Sequence, residues 1–371
     1  MEFNEDRPLP SQQAILAMRE ALYSYLERLA ETIGASVHSK ASEDVKAMLG
    51  DPVEVGSWDD MRLLAAAADG GSAIYSLSSA SLGVCVAISL QLRVGGSVTR
   101  GPALSAVVPE DPSQAVGITP QEVDFILSPL REAMVAEAAL SAVRGELGEK
   151  PDIVILDGPL IPPKPVRLAK RATSHAKLAA RAVSRYLRAH SELMRASREE
   201  GVTLVGFVKR PRAHYLSALA GAEDATLSDS AIASEILRRV GQMAPQNPIT
   251  LYERELELII KDEQIRGAIE PGSISFAFIR TSRRRPPYRI DLGPIHEPFS
   301  SPADVAAYLV ATADSDGIPL AVVKADESVK VSRKIATDAY FESLRRMLAN
   351  ASRSASDVRR VLQLLTPMYG E

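Results

Sequence analysis

The chain has a single cysteine among its 371 residues, Cys85, so it can form no intrachain disulfide and no thiolate cluster. Its five histidines are scattered, which removes the usual nitrogen ligands of a zinc site. Any metal would therefore be held by oxygen, and hard oxygen ligands suit magnesium or manganese. No apolar run approaches the roughly eighteen residues that a membrane-spanning helix requires. The opening Met1-Glu2-Phe3-Asn4-Glu5-Asp6 is acidic, unlike the basic leader of an exported chain. A cytoplasmic protein with no membrane partner is the expectation. Positive charge is not in excess either. The 43 Lys and Arg stand against 47 Asp and Glu, a net charge of −4, so the molecule as a whole is not drawn to nucleic acid. Internal repeats and low-complexity linkers are missing as well. What remains, 46% hydrophobic and 24% charged residues, is the composition of a globular protein.

Two apolar stretches end in Asp-Gly. Leu63 to Ala68 runs into Asp69-Gly70-Gly71-Ser72, and Ile153-Val154-Ile155-Leu156 runs into Asp157-Gly158-Pro159-Leu160. Continuous hydrophobicity is what a strand covered on both faces needs. Each Asp is thus placed at the C-terminal end of a strand, where a following glycine lets the backbone turn away and leaves the carboxylate beyond the sheet edge. Two such carboxylates on neighbouring strands can share a divalent ion, as in enzymes that act on phosphate esters.

The periodicity predicts an amphipathic helix over 9–33, with Ile15, Met18, Leu22, Tyr25, Leu26, Leu29 and Ile33 at three- and four-residue steps. Strands are predicted at 63–68, 72–77, 83–92 and 97–108, followed by a helix that starts at Thr119-Pro120-Gln121-Glu122 and runs to about 145. Then come a strand at 152–156, a long helix over 165–200, a strand at 202–208 and a helix at 228–240. Strands at 274–279 and 288–292 follow, with helices at 301–313 and 324–350. Several strands, a helix, a strand ending in Asp and then alternating helices and strands is the wiring of a ribonuclease H-like α/β domain, a mixed sheet flanked by helices. The economical division is an N-terminal helical segment 1–50, a nuclease-type domain 51–345 with a basic helical insertion 165–200, and a C-terminal helical tail 346–371.

That wiring calls for further carboxylates on a helix after the opening sheet and near the C-terminus. On the helix 119–145, Glu137 lies among Ala136, Ala138, Ala139 and Leu140, where an unpaired carboxylate would be costly, so a metal would account for it. Glu132 sits beside Arg131 and reads as a solvated residue, although which of the two is the ligand stays open. Asp326, in Lys324-Ala325-Asp326, is either a fourth ligand or a helix cap. Between Lys164 and Ser191 there is no acidic residue, while Lys164, Arg167, Lys170, Arg171, Lys177, Arg181, Arg185 and Arg188 recur at helical intervals. This basic surface begins directly after the second Asp-Gly and suits a phosphate backbone. A second cluster, Arg280, Arg283, Arg284, Arg285 and Arg289, flanks Pro286-Pro287 and reads as a hairpin or loop at a surface rim.

Asp69-Gly70-Gly71-Ser72, Asp157-Gly158-Pro159-Leu160, the strand Val205-Gly206-Phe207-Val208-Lys209 and the tail from Pro319-Leu320 to Ala325-Asp326 together resemble the NurA nucleases of archaea, over about 10–345. The resemblance implies a ribonuclease H-like homodimer that cleaves DNA with manganese, as an exonuclease from 5′ ends and an endonuclease on single strands. It also implies a hexameric HerA-type translocase as partner in DNA end resection for recombinational repair. Carried over, the metal and catalytic residues are Asp69, Glu137, Asp157 and Asp326, with Lys209 near the scissile phosphate. Pro159 stands where the family usually has Ser, and Arg210-Pro211-Arg212 follows Lys209 where a small polar residue is common. The carboxylate set would support two-metal hydrolysis, with Asp69 bridging both ions. Phe341, Leu344, Met347 and Leu348, then Val361, Leu362, Leu364 and Leu365, offer apolar surface for subunit contacts. Two other readings use the same features. One is a catalytically silent nucleic-acid-binding or scaffold subunit of this fold. The other is an actin-like phosphotransferase, which would want a Gly-rich adenosine motif that is missing from 200–320.

Overall fold

The structure, a computed structural model, describes residues 12–60, 62–76, 80–161, 174–210, 213–222, 227–330 and Glu342. The predicted tail 346–371, and with it Lys164, Arg167, Lys170 and Arg171, lies outside the described residues.

The strands are β1 (Val53–Glu54), β2 (Ala65–Ser76), β3 (Ser81–Leu92), β4 (Val98–Arg100), β5 (Leu104–Val108), β6 (Ile153–Asp157), β7 (Thr203–Val208), β8 (Gln242–Thr250), β9 (Ser275–Arg280) and β10 (Tyr288–Leu292). They form one mixed sheet in the order β1-β8-β9-β10-β7-β6-β2-β3-β4, with β5 also paired to β3. The helices are α1 (Gln12–Val37), α2 (Lys40–Leu49), α3 (Pro120–Val143), α4 (Ser174–Glu200), α5 (Tyr215–Leu219), α6 (Asp229–Ile236), α7 (Glu253–Ile259), α8 (Glu263–Arg266), α9 (Pro302–Ala311) and α10 (Leu320–Val329). No described helix is long and apolar enough to cross a membrane.

An antiparallel unit β2-β3-β5, then helix α3, parallel strand β6, crossover helix α4 and parallel strand β7 give the ribonuclease H-like wiring that the order of elements predicts. Helix α3 starts where expected because Thr119 and Glu122 form a reciprocal capping box: Glu122 N donates to Thr119 Oγ1 at 3.2 Å and Thr119 N to Glu122 Oε2 at 2.9 Å. The sheet is covered on both faces, so its central strands are continuously apolar and alternate residues feed two different cores. Ala66, Ala68, Val154, Leu156 and Leu204 pack against α3 and α4. Ala65, Ala67, Ile153, Ile155, Val205 and Phe207 pack on the opposite face with Val305, Leu309, Val322 and Ala325 of α9 and α10.

Several elements depart from expectation. The two short strands predicted at 63–68 and 72–77 are one strand, β2, paired to β3 without a break from Ala65↔Leu92 to Ser76↔Ser81. Gly70-Gly71 therefore runs straight through the ladder. Strand β8 is unexpected, because Pro245 and Pro248 interrupt any apolar pattern. It nevertheless pairs with β9, with an irregularity between Ala244 and Ile249 that accommodates the prolines. The last helix begins at Leu320, with Pro319 as its N-cap, four residues earlier than predicted. Asp326 thus stands inside α10 and caps nothing.

Candidate metal centre

Strands β2 and β6 pair in parallel from Ala65↔Ile153 to Ala68↔Leu156. Asp69 and Asp157 are each the next residue after that last pair. Because side chains alternate along a strand, they share the face of Ala67 and Ile155, which is the face of α10. Helix α10 packs across β2, β3 and β6 there and supplies Asp326. One carboxylate oxygen from each of Asp69, Asp157 and Asp326 lies within 4.8 Å of the other two. Three carboxylates so close, two of them on rigid central strands, form a hard-oxygen donor set that fits a divalent cation.

The two Asp-Gly pairs do different jobs. Strand β6 ends at Asp157 and turns away at Gly158, whose φ of 152° favours glycine, as the sequence predicts. Gly70 makes no turn. A Cβ there would lie 2.7 Å from Val135 Cγ2 and 2.8 Å from Arg131 Cγ, so its role is to let α3 approach the strand next to Asp69. The carboxylate of Asp69 projects beyond its neighbour because β6 stops, while β2 continues alongside β3 alone.

Burial and the adjacent Asp157 charge push the Asp69 carboxyl up to about 7, although Gly70 N donates to its Oδ1 at 2.6 Å. Burial raises Asp157 too, against the pull of Lys209. Lys209 continues the alternation of Val205 and Phe207 onto the same face, and its Nζ sits 2.5 Å from Asp157 Oδ2 and 3.9 Å from Asp326 Oδ1. Lys330 Nζ lies 3.0 Å from Asp326 Oδ2. The two ammonium groups hold the cluster together electrostatically, so Lys209 is engaged with a candidate ligand rather than extended as a free strand-end lysine.

Glu137 is not brought to this cluster. It faces α4, where Arg185 Nε and Nη2 donate to its two carboxylate oxygens, each at 2.8 Å. The alanines around it in sequence reflect a helix packed on two sides, and an arginine already answers its charge. Glu132 is not in the group of three carboxylates either: with Asp157, Gly158 and Pro159 it lines a small cavity on the α3 and α4 side of the sheet, which Val135, Tyr186 and His190 help to enclose. It also takes a hydrogen bond from Arg131 Nη2 at 2.5 Å. Of the basic residues on α4 within the described segments, Lys177, Arg181 and Arg188 are exposed, whereas Arg185 is spent on Glu137.

A buried network behind the site escapes sequence reasoning. Asp291, fully buried on β10, accepts from Leu160 N at 3.0 Å and Ile161 N at 3.2 Å, and it pairs with Arg289, whose Nε lies 2.8 Å away. Arg289 in turn lies over the Tyr215 ring, 4.7 Å from its centroid. From α4, His190 Nε2 donates to Leu160 O at 2.6 Å. Burial lowers His190 to about 4, so it is neutral at pH 7. A Cβ on Gly206 would stand 2.7 Å from both Gly158 O and Leu160 N. All of these fix the turn that follows Asp157. The available signal was an Arg-Ile-Asp alternation inside an apolar strand, 289–291, which places two charges on one buried face.

The profile of the NurA domain matches residues 63–331. The chain belongs to the NurA family. It shares its fold with the NurA nuclease of Sulfolobus solfataricus, at 16% identity and a TM-score of 0.58, over 90% of this chain and 99% of that one. A NurA structure bound to dAMP and manganese is similar at 12% identity and a TM-score of 0.55, over 94% of this chain and 99% of the other. None of the curated proteins compared with the chain matches it.

Proposed function

We propose that this NurA-family chain is an active, divalent-metal-dependent deoxyribonuclease that hydrolyses phosphodiester bonds at the Asp69, Asp157 and Asp326 cluster. The observation that carries the reading is the convergence of these three carboxylates, from two strands and a helix packed across them, within 4.8 Å. Lys209 and Lys330 offset part of this charge, and the third carboxylate, Asp69, has no lysine or arginine ion pair among the described residues, so a bound cation would relieve the remaining repulsion. Manganese or magnesium, as one ion or two, would be held by Asp69, Asp157 and Asp326. Bound there, the ions would offset the phosphate charge and supply hydroxide at neutral pH.

The residues divide the remaining work. Asp157 is aimed by the turn that Asp291 and His190 hold, and Lys209 orients its carboxylate while offering a positive charge beside an incoming phosphate. Of the two helix glutamates, Glu132, which lines a cavity with Asp157, would assist in place of Glu137, whose charge Arg185 already answers. Lys177 and Arg181, on the exposed face of α4, would contact the DNA backbone, joined by Lys164, Arg167, Lys170 and Arg171 just before that helix. Exonuclease action from 5′ ends, endonuclease action on single strands, a homodimer and a HerA-type translocase partner in end resection complete the reading. The test is degradation of end-labelled single-stranded DNA in manganese by the purified chain and by Asp157→Asn. Expected is loss of cleavage in the variant with its fold and DNA binding retained. Undiminished cleavage by the variant would refute the assignment, and a wild-type chain that binds DNA without cutting it would favour a silent scaffold.

A further inference from the structure

The five arginines clustered between 280 and 289 are separated by the fold. Arg289 is buried against Asp291, and Arg280 Nη1 donates to Leu237 O at 2.8 Å. Arg283, Arg284 and Arg285 are exposed on the loop that joins β9 to β10. Arg285 pairs with Asp316 at 3.2 Å, whereas Arg283 and Arg284 have no carboxylate partner among the described residues.

This loop is built to hold its shape. The buried Thr281 donates through Oγ1 to Gly317 O at 2.6 Å, the buried Ser282 through Oγ to Ser315 O at 3.2 Å, and Tyr288 OH to Asp316 O at 2.7 Å. Ser282 Oγ also accepts from Arg284 N at 3.1 Å. Pro286 and Pro287 remove further freedom from the return to β10. The turn that the loop grips, 314–318, leads directly into α10, the helix that carries Asp326.

Its position relative to the acidic cluster follows from register. Strand β6 ends at Asp157, paired with Phe207, and Val208 is paired with Arg289 near the start of β10. The loop therefore leaves the sheet at the edge where Asp157 sits, two strands away in the order β10-β7-β6. At about 4.8 Å per strand, that is roughly 10 Å. It also lies on the α10 side of the sheet, the side that Asp69 and Asp157 face.

We infer that Arg283 and Arg284 form a phosphate-binding clamp for the backbone of a nucleic-acid strand running from the acidic cluster across β7 towards β10. The identity of this polyanion rests on the nuclease reading. Guanidinium groups are the preferred donors to phosphate, and a pre-ordered loop loses little entropy in using them. Across that gap of roughly 10 Å, the clamp meets phosphates within a few nucleotides of the one at Asp157. It is distinct from the basic face of α4, which belongs to the opposite layer, so the strand is held from both sides of the sheet edge.

The test compares the full chain with its Arg283→Glu/Arg284→Glu variant, both of them surface positions. Binding of a fluorescein-labelled thirty-nucleotide oligo-dT is followed by anisotropy in EDTA over a range of salt. Expected are a roughly ten-fold loss of affinity at moderate salt and a fall of about 1.4 in the slope of log K against log salt, for two phosphate contacts on a single strand. Manganese-dependent hydrolysis of bis(p-nitrophenyl) phosphate, too small to reach the loop, stays unchanged. Equal affinity and slope for the two proteins would overturn the clamp. So would unaltered DNA binding with loss of binding to an acidic peptide, which would make the loop a protein-docking surface. A wild-type chain that hydrolyses neither substrate would refute the nuclease reading, while the salt slope would still judge the clamp.

Discussion

At the scale of single residues, the acidic cluster makes stability depend on pH in an unusual direction. The Asp69 carboxyl is held up at about 7 by burial and by Asp157, against an ordinary value of 3.8. Between those values the folded chain binds a proton that the unfolded chain has released, so this group's contribution to stability falls as pH rises from about 4 to 7 and is level above that. A cation competes for the same oxygens and must displace the proton. Manganese should therefore raise the melting temperature more at pH 8 than at pH 5.5, and Asp69→Asn should flatten the pH dependence of the metal-free protein; scanning fluorimetry with EDTA or manganese reads both. The two glutamates of α3 separate cleanly by substitution. Glu132→Gln should cut manganese-dependent cleavage by about a hundred-fold, by analogy with other groups that act at the reacting centre. Glu137→Gln should leave cleavage within a few-fold, because it removes a half-exposed pair with Arg185 worth at most about 1 kcal/mol. Steady-state cleavage rates and melting curves of the two variants decide between them. Asp69 and Asp157 were legible in the sequence because apolar runs announce the strands and the carboxylate interrupts them. The pairing of Glu137 with Arg185 is not legible in the sequence, because sequence neighbours on a helix surround its whole circumference and Arg185 lies on another helix.

At the scale of elements, the site depends on a strand that stops and a strand that does not. Strand β6 ends at Asp157, and the turn after it is held from below by Gly206, where a Cβ would meet the backbone atoms Gly158 O and Leu160 N at 2.7 Å. Gly206→Ala should thus push the turn outward, costing about 1–3 kcal/mol of stability. Because it moves Asp157, it should also lower cleavage by about a hundred-fold in protein that remains folded. A variant that lost stability but kept full activity would show that the turn does not set the ligand's position. Asp291 acts on the same turn from β10 through the N–H groups of Leu160 and Ile161. Asp291→Ala should cost about 3–5 kcal/mol, as it leaves Arg289 buried without its charge partner; urea denaturation measures this. These dependencies explain which parts of the fold could be read in advance. Strands β6, β7 and β9 were evident because a sheet covered on both faces demands near-continuous apolar runs, and β10 because Tyr288, Ile290 and Leu292 alternate with Arg289 and Asp291. The fusion of two predicted strands into β2 was not, because glycine marks a turn and a close helix approach with the same letter. Strand β8 was hidden by its prolines.

At the scale of the whole molecule, one element has little to lean on among the described residues. Helix α1 is 26 residues long, and Leu16, Met18, Leu22, Tyr25, Leu26, Leu29 and Ile33 along it are exposed. Within the described residues it packs only weakly, against α2. Most helical stability in proteins comes from packing an apolar face rather than from propensity, so an uncovered stripe leaves stability unused. The stripe at three- and four-residue steps is what a second helix covers, so α1 supports the proposed homodimer, with the same stripe from each copy at a two-fold interface. Light scattering during size exclusion should give twice the 39.9 kDa mass of the chain. Leu22→Glu/Leu26→Glu, which places charge in the middle of the stripe, should return the mass to that of one chain and lower the helical signal near 222 nm. The acidic cluster comes from β2, β6 and α10 of one chain, so hydrolysis of bis(p-nitrophenyl) phosphate should survive in the monomeric variant. If the mass stayed doubled, the stripe would not be the subunit contact.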